Sequence, residues 1–516
     1  MKRLITMKRW IAALMLALAT IATAGPAMAD PSDIDAAARG VVRVVIVGSD
    51  GEELFLVGHG SGFAVSPTMV VTNNHVIEEA TRDPRLRVGI VPSDGAEGSF
   101  ARIVSTRSES DLALLEITEG LRLPPLTLAG AVPADSSEAY AVGYPMNVDR
   151  AQGLSMGDLL RSQPPVKSRG FLSGTRPSRE FDTILHTAAI GRGNSGGPLL
   201  DSCGRVLGVN SFGAETGGVD AEFFFAVSMQ ELRPFLRANG VSATVNEQPC
   251  RSLAEVEAAE RQRLNAEQED ARSRLERSES ARRDKLEQAR LTATMEVQNE
   301  SENHLALAFV LALVGFGAAL AAWTLRAAEA RWKPVVAALA AAIAIFAALA
   351  AWLTRPGVED VERRVNAAMA EETETPQEAA SEGTGDLTCT LEPDRSRITT
   401  APAREVDFEW TATGCVNGRT QYGKLNGDWS RVLVPNEEST VSVNRYDPET
   451  RTYTVDRYLL GRAAMEEARE ERGRYNAPSC NSDGGANRLG DLQGAVLSEL
   501  PASPNERLVY RCEPRE

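Results

Sequence analysis

Hydrophobic and polar positions change their spacing several times along the chain, and each change marks a segment. From about residue 35 to 245 the apolar residues come in short β-branched runs: VVRVVIVGSDGEELFLVGHGSGFAVS, MVVTNNHVI, RLRVGIVPSDG, DLALLEI, EAYAVGYP, DTILHTAAI, RVLGVNSFG and EFFFAVSM. Such runs, separated by glycine and polar turns, predict many short strands, with SDG and GHGSG as turns and few helices. An all-β barrel or sandwich over residues 30–250 follows. At Ser252 the pattern breaks. As far as Glu300 there is no Pro or Gly, and Leu253, Leu264, Leu275, Leu286 and Val297 recur every eleven residues. That period permits a right-handed coiled coil over 251–303. Glu260 and Arg282 stand where a dense seam carries apolar residues, so a lone salt-bridged helix fits as well. Either is a stalk of about 70 Å.

Two uninterrupted apolar runs follow, LALAFVLALVGFGAALAAWTL (305–325) and VVAALAAAIAIFAALAAWL (335–353). Each approaches the roughly 20 residues that cross a bilayer. They predict a two-helix transmembrane hairpin of spans 304–325 and 335–354. The 326–334 loop carries Arg326, Arg331 and Lys333 against Glu329, which places it in the cytoplasm, although Arg355 votes the other way. Residues 355–386 read as an acidic flexible linker. From 387 to 516 alternation returns in EVDFEWTAT, STVSVNRYD and RTYTVDRYLL, with a helix-like stretch at AAMEEAREER, giving a small β-rich domain.

Residues 1–29 have the three parts of a secretory signal: Lys2, Arg3, Lys8 and Arg9, then an apolar middle, then Ala27-Met28-Ala29. Cleavage there leaves Asp30 first, and the alternative is an uncleaved anchor helix. Signal and hairpin together put the first and last domains outside the cytoplasm, at the periplasmic or extracellular side. Cysteine usage agrees. Cys203 and Cys250 form the one choice within the first domain, while Cys389, Cys415, Cys480 and Cys512 allow three connectivities in the last. A net charge of −16 argues against nucleic acid as a partner. No P-loop glycine motif or paired Cys-x-x-Cys is present, so neither a cofactor nor a metal is implied.

The candidate chemistry sits in GRGNSGGPL, residues 191–199, where Ser195 lies among glycines. Of the four histidines, His304 abuts a span and His59 sits in the GHGSG turn. His75 closes TNNH at a strand end, and His186 lies on the strand before the serine. Asp111 precedes the alternating LALLEI. The chain order His75, Asp111, Ser195 is one of three known for nucleophilic triads.

Together GSGF…TNNHV, SDLALL, GRGNSGGPL and GVNSFG resemble the trypsin-like serine peptidases, especially the HtrA-like branch, over about residues 35–245. The resemblance implies a chymotrypsin-like double β-barrel and an endopeptidase acting on polypeptides. It makes Ser195 the nucleophile, His75 the base, Asp111 the orienting acid, and the Gly193 and Ser195 amides the oxyanion hole. GVNSFG would pair with substrate through Ser211, Phe212 and Gly213. With Ala189 and Ile190 where an acid would select Lys or Arg, small to medium aliphatic side chains are expected. His186 either modifies that pocket or is a neutral core histidine. The segment 146–174 departs from the short glycine-rich loop of the family, which raises the expectation of regulated activity. No PDZ-like segment follows; the stalk, the hairpin and an unfamiliar domain with its own unknown partner stand instead. The stalk offers a route to a homo-oligomer. The contrasting expectation is a protease-like membrane scaffold or sensor that binds peptides without turnover.

Overall fold

The computed structural model describes residues 31–51, 54–95, 97–177, 181–214, 222–327, 332–370, 383–425, 427–436, 438–480 and 482–515. The expected signal (1–29) lies outside them, as do parts of the 326–334 loop and the 355–386 linker. By contacts the chain divides into two units, one reaching to Glu260 and resuming at Ser381, the other Arg261–Ala380.

In the first unit VVRVVIVGS forms β1 (Val41–Ser49). It is buried on both faces because its alternate residues serve different clusters. Val42, Val44 and Ile46 fill one barrel with Ala64, Val70, Ile90, Ala113 and Leu115, whereas Val41 turns to a cluster containing Leu112 and Leu114. That barrel closes in the order β1-β2-β3-β6-β5-β4. Its other strands are β2 (Leu54–Ala64), β3 (Met69–Thr72), β4 (Arg87–Val91), β5 (Ser99–Arg107) and β6 (Leu112–Ile117). GHGSG is not a turn, as expected, but part of β2, with His59 opposite Val45. The glycines let this strand run against the loop that carries Ser195.

A second sheet comprises β7 (Leu128–Ala129), β8 (Glu138–Gly143), β9 (Val166–Pro177), β10 (Asp182–His186), β11 (Pro198–Leu200), β12 (Val206–Gly213), β13 (Phe224–Ser228) and β14 (Val245–Asn246). It is ordered β11-β8-β9-β10-β13-β12-β7-β14, and a further β11–β12 pairing closes it into the second barrel. The helix Met229–Ala238 packs Leu232, Phe235 and Leu236 into a cluster shared by strands of both barrels. The segment 146–174, which departs from the family's short glycine-rich loop, holds the short helices Met146–Ala151 and Met156–Leu159 and most of β9.

The last domain is one nine-stranded sheet with its chain-final strand, Glu506–Pro514, near the middle. Its core is aromatic: Trp410, Tyr422, Tyr446, Tyr453 and Tyr510 pack together, Trp410 and Tyr446 at 4.7 Å. The expected helix is Arg462–Gly473; a second, Gly485–Ser498, was not expected. Its glycines obscure it in sequence, yet Gly490 is required because a Cβ there would lie 2.5 Å from the Lys424 carbonyl oxygen. The disulfides are Cys203–Cys250, Cys389–Cys512 and Cys415–Cys480, which resolves the three-way choice.

This domain docks on the barrels through buried polar contacts. Arg397 pairs with Asp33, both side chains 2% exposed, and Asn505 Nδ2 donates to Asp33 Oδ1 at 3.0 Å. Asn246 Nδ2 donates to the Ile398 carbonyl at 2.8 Å; a partly exposed pair, Arg395 with Glu260 at 2.7 Å, ties the domain to the helix that follows the barrels.

The second unit is helical. It holds all but the first residues of one 75-residue helix, Leu253–Ala327, which contains both the expected stalk and the first apolar run. At 1.5 Å per residue it is about 110 Å long. The second apolar run is the helix Lys333–Leu353. Both are long and apolar enough to cross a membrane, and Phe309, Phe316, Trp323 and Phe346 are exposed on them. The start of the expected linker is instead a helix, Val358–Ala370. Its Arg364 meets Glu296 at 3.1 Å and Glu300 at 2.7 Å, a charge match between distant segments that local composition does not reveal.

Candidate active site

The TNNH motif places its residues by using the asparagines on the backbone. Thr72 ends β3, and His75 is the second residue of the helix Asn74–Arg82. Asn73 Nδ2 donates to the Asp111 carbonyl at 2.8 Å, and the Asn74 N–H reaches the same oxygen at 3.3 Å. Asp111 needs such support, since its φ of 50° lies in the left-handed region that non-glycine residues seldom adopt. Held so, its carboxylate turns to the histidine. His75 Nδ1 lies 2.9 Å from Oδ2 and 3.0 Å from Oδ1, and the His75 N–H donates to Oδ1 at 3.1 Å. Because a carboxylate only accepts, Nδ1 carries a proton, which in the neutral tautomer leaves the Nε2 lone pair free to act as a base.

Ser211 joins the two halves. Its Oγ donates to Asp111 Oδ2 at 2.6 Å, while its carbonyl accepts from Ser195 Oγ at 2.8 Å. The structure therefore brings His75, Asp111, Ser211 and Ser195 into one cluster. The serine hydroxyl, however, is bonded to Ser211 and not to the His75 ring. Reaching the imidazole requires a turn of the serine side chain, and such bonds commonly tighten only around a bound substrate.

The glycines flanking Ser195 are set by close approach. A Cβ on Gly196 (φ 88°) would lie 2.1 Å from the Ser61 carbonyl oxygen, and one on Gly193 (φ 99°) 2.3 Å from that of Tyr144. The Arg192 carbonyl accepts from the Met146 N–H at 2.7 Å, and the Gly193 carbonyl from Ser61 Oγ at 2.7 Å. Among the described residues nothing accepts from the Gly193 or Ser195 N–H. Two unpaired amides beside a serine hydroxyl are what a developing oxyanion needs.

Of the expected substrate-contacting residues, Ala189 and Phe212 are exposed, Ile190 and Gly213 partly buried, and Ser211 buried. Phe212 stacks on Phe225 with ring centroids 4.8 Å apart. His186 is buried, 6.0 Å from the Phe224 ring, and among the described residues neither ring nitrogen has a partner at full hydrogen-bond geometry, the Ala188 backbone being the polar group nearby. Burial pushes its imidazole down to about 4, so the neutral core reading applies.

Sequence reasoning passed over a buried charged group next to this loop. Arg43, inside the apolar run of β1, donates from Nη2 to Asp149 Oδ1 at 2.9 Å and from Nη1 to the Leu159 carbonyl at 3.2 Å. Asp149 Oδ2 lies 3.2 Å from His59 Nε2, an ion-pair distance without hydrogen-bond geometry. His59 Nε2 lies 3.3 Å from the Tyr144 carbonyl. Burial, then the Arg43 charge, holds the His59 imidazole below its ordinary range. The one sequence signal was an arginine amid VVRVVIV, where a charge stays buried only if something pairs with it.

Residues 60–209 match the family described as trypsin-like peptidase domain. Serine protease HTRA2, mitochondrial, of Bos taurus is 31% identical over 208 residues, covering 39% of this chain and 41% of that protein. Serine protease Do-like HtrA of Bacillus subtilis is 29% identical over 191 residues, 36% of this chain and 40% of its own. Magnetosome formation protease MamE of Paramagnetospirillum magneticum is 30% identical over 190 residues, 34% of this chain and 23% of its own. The chain thus spans less than two thirds of the length of these curated relatives.

Proposed function

Residues 60–209 being a trypsin-like peptidase domain of the HtrA-like kind, we propose that the whole chain is a membrane-anchored serine endopeptidase working through His75, Asp111 and Ser195. The observation that carries this reading is the Asp111 carboxylate bound at once to His75 Nδ1 and Ser211 Oγ, beside the unpaired Gly193 and Ser195 amides. In the reaction Ser195 Oγ turns from the Ser211 carbonyl to His75 Nε2, gives up its proton and attacks the scissile carbonyl. The Gly193 and Ser195 N–H groups receive the negative charge on that oxygen, and His75 then passes its proton to the leaving amine. Asp111 fixes the tautomer throughout. Substrate lies along Ser211, Phe212 and Gly213. Cleavage follows small to medium aliphatic residues, because Ala189 and Ile190 bring no charge to the pocket.

Membrane anchoring draws support from two apolar helices with large side chains exposed, which only an apolar solvent makes favourable. Docking of the last domain on the barrels through Arg397–Asp33 supports placing both on one side of the membrane, with an even number of crossings between them. Three disulfides and no free cysteine among the described residues suit the periplasmic or extracellular side. Leu264, Leu275 and Leu286, exposed on the stalk, would serve a homo-oligomer. A second reading, a peptide-binding scaffold without turnover, is favoured by one observation: the Ser195 hydroxyl is committed to Ser211.

The test is hydrolysis of a quenched peptide library by the detergent-solubilised full chain and its Ser195→Ala variant. Turnover that vanishes in the variant, with aliphatic residues preferred before the cut, supports the endopeptidase. Peptide binding without turnover in both proteins overturns it in favour of the scaffold.

A further inference from the structure

The segment that holds the oxyanion loop is itself held by the buried Arg43–Asp149–His59 group. The links can be followed atom by atom. Met146 donates to the Arg192 carbonyl at 2.7 Å. Across a planar trans peptide the C=O and the next N–H point in opposite directions. Fixing the Arg192 carbonyl on Met146 therefore fixes the Gly193 N–H the other way, where it has no partner among the described residues. The Tyr144 N–H donates to Ser61 Oγ at 2.9 Å, and that oxygen donates on to the Gly193 carbonyl at 2.7 Å. Residues 144–146 thus hold the Arg192 carbonyl directly and the Gly193 carbonyl through Ser61.

What keeps 144–146 in place is the charged group. Met146 opens the helix Met146–Ala151, and Asp149 lies on it, tied to Arg43 of β1. Arg43 is 2% exposed and its guanidinium lies 4.7 Å from the Tyr144 ring centroid. His59 of β2 stands beside Asp149 and the Tyr144 carbonyl, and a Cβ on Gly193 would come 3.2 Å from its Nε2. The Tyr144 carbonyl can only accept, so Nε2 carries the proton it receives. A buried ion pair adds little net stability over apolar side chains of the same size. Three polar side chains buried behind one loop are better explained by placement than by stability.

We propose that Arg43, Asp149 and His59 are positioning residues that hold residues 144–146 against the oxyanion loop and so keep the Gly193 N–H aimed at the reacting carbonyl. The inference rests on the oxyanion role given to Gly193 above. None of the three touches substrate.

The test uses the detergent-solubilised full chain and three variants. His59→Leu removes the donor to Tyr144, His59→Gln restores an amide donor, and the paired Arg43→Met, Asp149→Leu removes both charges so that neither is left buried alone. His59→Leu and the paired variant should lower kcat at least about 10-fold, up to the roughly 10²–10³-fold that a lost oxyanion donor costs. KM should change less than about threefold, since uniform binding is untouched. His59→Gln should recover most of the rate. Hydrogen–deuterium exchange of the amides in 191–197 should quicken in His59→Leu and in the paired variant, and not in His59→Gln. Unchanged kcat and unchanged exchange in folded His59→Leu and paired variants would overturn the inference. If the parent shows no turnover, the peptidase reading fails, and exchange alone then decides: faster exchange at 191–197 supports the clamp, and unaltered exchange overturns it.

Discussion

Gly193→Ala is the substitution whose outcome the geometry constrains most tightly. At a φ of 99°, an L side chain is strained before any contact is counted. The added Cβ would sit 2.3 Å from the Tyr144 carbonyl oxygen and 3.1 Å from the Met146 nitrogen. Both atoms belong to backbone, and neither can swing aside as a flexible side chain would. Relief requires the 192–193 peptide to rotate, which breaks the 2.7 Å bond from Met146 to the Arg192 carbonyl and turns the Gly193 N–H out of the site. The loss of one such donor costs about 2.7–4 kcal/mol of transition-state stabilisation. That corresponds to a kcat lower by about 10²–10³. The assay is steady-state hydrolysis of a quenched peptide, with a melting curve to establish that the variant is folded. KM should stay within about threefold, because the residues proposed to pair with the substrate strand lie on β12. A folded Gly193→Ala protein with kcat within about threefold of the parent would refute the oxyanion role of this amide.

Three further expectations concern stability. Arg397→Ala leaves Asp33 buried with its ion-pair partner gone, and should cost about 3–5 kcal/mol in urea unfolding of the full chain; a cost under about 1 kcal/mol would mean the docking adds nothing. Replacing Cys203 and Cys250 together by Ala opens a cross-link between residues 47 apart, and chain entropy puts the loss at about 4 kcal/mol, read as a shifted urea midpoint. His186 is neutral in the fold, with a value of about 4 against an ordinary 6.5, so only the unfolded chain takes up its proton between those limits. Its contribution is complete above pH 6.5 and is lost as pH falls toward 4, by about 3 kcal/mol in all. His186→Leu should flatten that part of the stability–pH curve, and an unchanged slope would show that the histidine is not the group responsible.

Local pattern carried the barrels. LALLEI and VVRVVIV read as strands because their residues are β-branched or aliphatic and bounded by turns, and burial on two faces explains why VVRVVIV lacks polar alternation. The strand Ser99–Arg107 was harder to see: its residues are only partly buried, which leaves SFARIVSTR without a clear apolar face. GHGSG misled for a different reason. Glycine signals a turn when only neighbours in sequence are considered, but here it permits contact with a loop more than 100 residues away; Ser61 donates to the Ser195 carbonyl at 2.8 Å. The helix Gly485–Ser498 was hidden by the same residue type for the same cause. At the site, His75, Asp111, Ser195 and Ser211 were legible because each sits in a motif. The commitment of the serine hydroxyl to Ser211 is a matter of one side-chain torsion, which no pattern records. Arg43, Asp149 and His59 were not legible as a group, since Arg43 and Asp149 are 106 positions apart and meet only once the barrel is closed. The docking of Arg397 on Asp33 spans 364 positions and was invisible for the same reason.

The central claim is that Ser195 is a nucleophile activated by His75. Its most direct test is to treat the detergent-solubilised full chain with a fluorophosphonate and locate the adduct by peptide mass mapping, alongside His75→Ala and Ser195→Ala. The account predicts one adduct, on the peptide containing Ser195, at least about 10²-fold slower to form in His75→Ala. It predicts none on that peptide in Ser195→Ala. An unlabelled parent, or an adduct that persists at the same rate without His75, would contradict it.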